Sequence, residues 1–189
     1  VFYDVKCSMA LEEAIYSSGG IPKMVRTGHS FMKKELKENP DSPLAGEMSG
    51  HFFLNDRWPG FDDSLYNTAR LLEIIAREPS PDEGGPKFSD WFDDLPKYAS
   101  TGEAKVPLTM NRTETMDSVE RIFSDMKYSN VDGVRVSYPE GWFLCRPSNT
   151  EPILVMRAEA NDEEALIKIK QDVEERLGET INLEKFHNS

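Results

Sequence analysis

Residues 134–177 read VRVSYPEGWFLCRPSNTEPILVMRAEANDEEALIKIKQDVEERL, and this stretch decides how the second half of the chain folds. Val134, Val136 and Tyr138 alternate as in a half-buried strand, and GWFLCR and ILVMRAE are two more apolar strands separated by the polar segment PSNTEP. Asn161 with Glu164 three positions later has the form of a capping box, opening a helix that carries Leu166, Ile169, Val173 and Leu177 on one stripe. Upstream, KVPLTM at 105–110 is a strand candidate, and a helix near 115–127 aligns Met116, Val119, Ile122, Phe123 and Met126 before VDG turns the chain. The order β-α-β-β-β-α predicts a small antiparallel sheet with two helices on one face. That is a separate α+β domain over residues 101–189, with its boundary at Thr101-Gly102.

The first half alternates strand-like and helix-like segments, which predicts a parallel or mixed α/β layer over residues 1–100. The strand VFYDV leads to a helix capped by Ser8, with Leu11, Ala14 and Ile15 inside and Gly19-Gly20 at its end. PKMVRT is a second strand, and GHSFMKKELKEN a helix with Ser30 as cap and Asn39-Pro40 as stop. Leu44–Ala45 and 51–54 bracket the turn GEMSG. Asp62 is the expected cap of DSLYNTARLLEIIAR, where Leu65, Ala69, Leu72 and Ile75 or Ala76 recur at helical spacing. PSPDEGGP at 79–86 is a loop, and WFDDLPKYAS holds one helical turn.

Composition narrows the function classes. The 189 residues carry 22 Lys plus Arg against 34 Asp plus Glu, a net charge of −12, and the deficit is the same in each half: 11 basic and 17 acidic residues. Binding along a nucleic acid backbone needs clustered Lys and Arg to displace counterions, so nucleic acid is not an expected partner. No run of about 18 apolar residues exists, so a membrane span is not expected. Cys7 and Cys145 lack any CxxC spacing and suit a reducing compartment, which predicts a cytoplasmic protein. The opening on an apolar strand predicts that the chain is a piece of something larger.

Three segments can carry chemistry. Arg146-Pro147-Ser148-Asn149-Thr150-Glu151-Pro152 places a guanidinium fork beside consecutive hydroxyl and amide donors between two strands, as a phosphate pocket requires. The same residues also suit an ordinary polar hairpin, and spacing does not separate the two readings. In Gly46-Glu47-Met48-Ser49-Gly50-His51, Glu47 and Ser49 can address paired sugar hydroxyls. Glu47 and His51 lack a third ligand at recognisable spacing, which disfavours zinc. His29, in TGHS, is a proton shuttle or a residue of a helix start, and Lys6 lies at the strand end where α/β sheets place ligand contacts, or is a surface lysine. Asp62-Asp63 reads as a helix start rather than a magnesium site. Trp58, Trp91 and Trp142 read as packing residues.

In this order, DVKCS, TGHSFMK, GEMSGHFF, FDDSLYNTARLLEI and RPSNTEP closely resemble the C-terminal part of the α-D-phosphohexomutases, nearest the bacterial phosphomannomutase/phosphoglucomutase branch. The resemblance implies a four-domain cytoplasmic isomerase. Such an enzyme interconverts mannose and glucose 1- and 6-phosphates through a phosphoserine and a hexose 1,6-bisphosphate, with magnesium as metal and glucose 1,6-bisphosphate as activator. It implies a Rossmann-like third domain lacking its N-terminal part, with Glu47, Ser49 and Lys6 binding sugar. It also implies a TATA-box-binding-protein-like fourth domain, with Arg146, Ser148, Asn149 and Thr150 binding phosphate. His29 and His51 are implied as acid or base. Met48 resembles the mannose and glucose branch. Neither a TASHNP-like serine loop nor a DGDGDR-like metal loop occurs, so no metal ligands are expected here, the chain alone is expected to be inactive, and the missing N-terminal domains are implied partners. A stand-alone phosphosugar-binding module and a protein-interaction module remain the alternatives.

Overall fold

The computed structural model describes residues 1–108 and 111–189, and the chain divides into two compact units, Val1–Pro96 and Lys97–Ser189. Thr109 and Met110, the end of the expected strand KVPLTM, lie outside the described residues.

The first unit is built around β1 (Phe2–Asp4), whose neighbouring side chains point to opposite faces and are both buried. Phe2 packs with Val25, Met32, Leu36, Ala45 and Phe53 on one face, and Tyr3 with Cys7 and Ile15 on the other, so the strand is central and covered on both sides. Ser8 Oγ accepts from Ala10 N at 3.1 Å and starts α1 (Met9–Ser17), as its sequence predicts. Then come β2 (Lys23–Val25), α2 (His29–Glu38), β3 (Leu44–Gly46), β4 (Phe52–Leu54) and α3 (Ser64–Ile75). The sheet order is β2-β1-β3-β4. β1 is parallel to β2 and β3, and β4 returns antiparallel. The chain steps from β1 outward to β2 and then back across to β3, so right-handed crossovers must put α1 and α2 on opposite faces. Ile15 in the Tyr3 cluster and Met32 in the Phe2 cluster confirm this. The C-terminal ends of β1, β2 and β3 therefore share one edge of the sheet.

Two caps differ from expectation. Gly28, at φ +132°, precedes α2 in place of a Ser30 cap, and Asp63, not Asp62, accepts from Leu65 N and Tyr66 N at 3.0 Å to start α3. The stripe expected to bury α3 buries no residue. Within the expected loop, Pro81–Glu83 forms a 3₁₀ turn, and a second at Phe88–Phe92 holds Trp91.

The second unit has β5 (Ala99–Ser100), β6 (Ala104–Pro107), α4 (Arg112–Ile122), β7 (Tyr128–Ser129), β8 (Val134–Tyr138), β9 (Gly141–Pro147), β10 (Ile153–Ala160), α5 (Glu163–Leu177) and α6 (Glu184–His187). All pairings are antiparallel in the order β5-β10-β9-β8-β7, with β6 alongside the first half of β10. Ala99 and Ser100, placed by sequence with the first domain, pair with Ala160 and Glu159 in this sheet. Val134, Val136, Phe143, Cys145, Leu154 and Met156 line one face against Val119 of α4 and Ile169, Val173 and Leu177 of α5. Each such side chain stabilises the unit by about 1.5–3 kcal/mol on full burial. α4 runs Arg112–Ile122 from an Asn111 cap, earlier than the expected 115–127, because Phe123–Met126 continues as a turn. Asp162, not Asn161, caps α5, accepting from Ala165 N at 2.8 Å. Among the described residues no helix is long and apolar enough to cross a membrane.

Candidate functional site

The first unit gathers its polar loops at the shared edge of β1, β2 and β3. Asp4, the last residue of β1, is fully buried. It is satisfied by Lys6 N at 2.7 Å and Cys7 Sγ at 3.7 Å on Oδ1, and by Met48 N at 3.1 Å on Oδ2. Glu47 is 7% exposed and its Oε1 accepts from Gly28 N at 2.6 Å. Gly28 is the residue from which α2 departs, so the carboxylate meets the positive end of that helix as well as one backbone donor. The turn itself is closed by Glu47 N to His51 O and Gly50 N to Glu47 O, both 2.9 Å, and Gly50 sits at φ +87°, where a side chain is strained. Lys6 is 8% exposed, so it is not an ordinary surface lysine, while Ser49 is exposed on the turn.

His51 and His29 have different settings. His51 Nδ1 lies 2.6 Å from Asp62 Oδ2, and Asp62 is held in place by a bridge between its backbone and Phe53. The side chain expected to cap a helix thus orients an imidazole instead. A carboxylate on Nδ1 fixes the tautomer that leaves Nε2 for proton exchange. His29 is exposed as the first residue of α2. Trp58 stacks on Tyr66 with ring centroids 4.4 Å apart, a packing role, and Trp142 lies in the second unit's sheet with Arg135 over its ring.

The second unit places Arg146, Ser148, Asn149 and Thr150 in one hairpin between β9 and β10. Ser148 N donates to Ile153 O at 2.9 Å to close the loop, and Ser148 Oγ accepts from Thr150 N and Glu151 N at 3.3 and 3.2 Å. Asn149 and Thr150 stand exposed above that base. Arg146 is anchored by Nε to Asp132 Oδ2 at 2.8 Å, with both side chains almost wholly buried. Its Nη2 is buried and has no hydrogen-bond partner among the described residues. Leaving such a donor unpaired is costly, and an anion bound at the loop would satisfy it. Arg112, from the start of α4, donates to Ser148 O and ties the loop to that helix. Gly133, at φ +77°, lets the Asp132 turn lie against β9, since a Cβ there would be 2.5 Å from Cys145 O.

Sequence reasoning did not find Asp4, Asp132 or Arg112. The signals existed as a carboxylate in an apolar strand, an Asp-Gly turn and a basic first helical residue. Among the described residues no group of three or more His, Cys, Asp or Glu side chains is placed to hold a metal.

The family model described as phosphoglucomutase/phosphomannomutase, alpha/beta/alpha domain III matches residues 1–98, and that described as the C-terminal domain matches residues 103–176. A phosphomannomutase/phosphoglucomutase of Pseudomonas syringae is 43% identical over 173 residues, which is 90% of this chain and 36% of the relative. A crystal structure of a phosphoglucomutase/phosphomannomutase family protein from Burkholderia thailandensis superposes with a TM-score of 0.78 at 41% identity, covering 93% of this chain and 36% of that one. The N-acetylphosphoglucosamine mutase of Aspergillus fumigatus, solved with glucose 1,6-bisphosphate, shares the fold at 12% identity and a TM-score of 0.62. The chain spans about a third of the length of these curated relatives.

Proposed function

This chain belongs to the phosphoglucomutase/phosphomannomutase family, and on that premise we propose that it is the sugar- and phosphate-recognising part of a hexose phosphate mutase. The single observation that carries the reading is Arg146 Nη2, buried and without a hydrogen-bond partner among the described residues, on the residue two positions before Ser148. It is a charged donor held ready for an anion, beside neutral donors suited to the remaining oxygens.

In this reading Arg146, Ser148, Asn149 and Thr150 hold the phosphate that is not being transferred. Glu47, Ser49 and Lys6 hold the sugar. Glu47 commits one oxygen to Gly28 N and keeps the other for a hydroxyl. Grip on groups common to hexose 1-phosphate and hexose 6-phosphate lets each loop accept the sugar in either direction. His51, oriented by Asp62, is the better acid or base of the two histidines, because its partner fixes the tautomer. The phosphoserine, the magnesium ion and the missing N-terminal domains belong to the longer protein. The substrates are the glucose and mannose 1- and 6-phosphates, with glucose 1,6-bisphosphate as activator. Cys7 and Cys145 are both buried thiols, which supports a cytoplasmic setting.

A coupled assay for glucose 6-phosphate from glucose 1-phosphate tests the reading. The longer protein is expected to turn over and to lose most of its kcat/KM on Arg146→Ala, while the 189-residue chain stays at the blank rate. Full activity in Arg146→Ala, or bisphosphate-dependent turnover by this chain alone, contradicts it.

A further inference from the structure

We propose that Asp4 is a positioning residue that sets the distance between Lys6 and the Glu47–Ser49 turn, an inference that rests on the reading of these loops as the sugar site. The backbone ladder between β1 and β3 ends at Tyr3↔Gly46. Beyond it the two loops would separate, yet Asp4 continues the pairing through its side chain. Oδ2 takes Met48 N at 3.1 Å across 44 residues of sequence, while Oδ1 takes Lys6 N at 2.7 Å. Cys7 Sγ, at 3.7 Å, is a third donor to the same group. Glu47, next to Met48, carries the chain of ties onward to Gly28 at the start of α2. Two buried carboxylates thus link the loops that follow three parallel strands. Asp4 is the one joined to Lys6, a residue proposed to touch the sugar.

The requirement is for a carboxylate in particular. All three partners are donors, and they address both oxygens. Asparagine keeps the volume but turns one acceptor into an NH₂ group, which must face an N–H. Asp4→Asn therefore breaks one tie without opening a cavity, and a buried donor left facing another donor is expelled rather than tolerated.

The experiment is amide hydrogen exchange by NMR on the wild-type chain and Asp4→Asn, with titrations of glucose 1-phosphate and of inorganic phosphate. The expected result is exchange faster by about tenfold or more at Met48 or Lys6, whichever amide the new NH₂ group faces, and glucose 1-phosphate affinity lower by about tenfold. Inorganic phosphate affinity and the amides of 146–151 should not change. A structural defect that spread through the protein would move both ligands. Unchanged exchange at both Lys6 and Met48 overturns the proposal, and so does faster exchange with unchanged glucose 1-phosphate affinity. A wild-type chain that binds inorganic phosphate but no hexose phosphate refutes the sugar-site reading, while exchange still decides whether Asp4 ties the loops. If Asp4→Asn does not fold, a scalar coupling across the hydrogen bond from Met48 nitrogen to the Asp4 carboxyl carbon, read on wild type, decides the same point. Its absence overturns the tie.

Discussion

α3 and α5 are both helices with aliphatic residues at regular helical spacing, yet they are held in opposite ways. α5 buries Ala165, Leu166, Ile169, Val173 and Leu177 against the antiparallel sheet. α3 buries nothing: Leu65 is 84% and Leu72 59% exposed, and Leu71 and Ile74 border an open apolar cleft with Phe52 and Leu54. Apart from Tyr66, stacked on Trp58, its attachments are polar. Asp63 caps it, Asn67 Nδ2 donates to Phe52 O at 2.9 Å, and Arg70 reaches Asp56 at 2.7 Å. Glu73 gathers Arg57 and Arg77. An apolar stripe in a sequence therefore names the face of a helix, and only the tertiary structure says whether anything covers it.

The contrast can be broken by substitution. Leu177→Ala, at a wholly buried position, is expected to destabilise the second unit by about 2–5 kcal/mol in denaturant melts. Gly133→Ala comes next, at about 2 kcal/mol or more, because its φ of +77° and the 2.5 Å approach to Cys145 O both resist a Cβ. It should also weaken inorganic phosphate binding by moving Asp132 off Arg146, read by calorimetry. Asp63→Ala removes the cap of α3 and should cost about 1 kcal/mol, reported by the first unit's amides alone. Leu72→Ala is expected to stay within about 0.5 kcal/mol, since the side chain is already in water; a loss near that of Leu177→Ala would show that α3 is covered after all.

Acid sharpens the same contrast. The Arg70 hydrogen bond holds the Asp56 carboxyl below its ordinary value, and the Arg57 hydrogen bond does the same for Glu73. A carboxyl depressed on folding adds stability above its unfolded pKa and loses it as pH falls through the folded one. α3 should therefore loosen below about pH 4, the ordinary carboxylate range, with a larger change between neutral and acid pH in low salt than in high salt, where its ion pairs are already screened. The effect is small because these groups are exposed. In the second unit burial pushes the Cys145 thiol up to about 12, so it should stay unreactive to thiol reagents until that unit unfolds.

Much of the fold was legible because its signals are local. Ser8 announces α1, the alternation in VRVSY announces β8, and the stripe from Leu166 to Leu177 announces α5. The caps at 28, 63 and 162 were missed by one or two positions because competent residues stand side by side there and only backbone dihedrals choose between them. β5 and β7 have two residues each, too few to show a period. In the candidate site the loop residues could be named from motifs. Their supports could not, since Asp4 reaches Met48 over 44 residues, Arg112 reaches Ser148 over 36 and Arg146 reaches Asp132 over 14.

The most direct measurement is an NMR titration of the wild-type chain with glucose 1-phosphate, following every backbone amide. The account predicts saturable shifts confined to two places, Glu47–Ser49 with Lys6 in the first unit and Ser148–Glu151 in the second, and loss of the second group in Arg146→Ala. Shifts at neither loop, or shifts in the second group that survive Arg146→Ala unchanged, would contradict it.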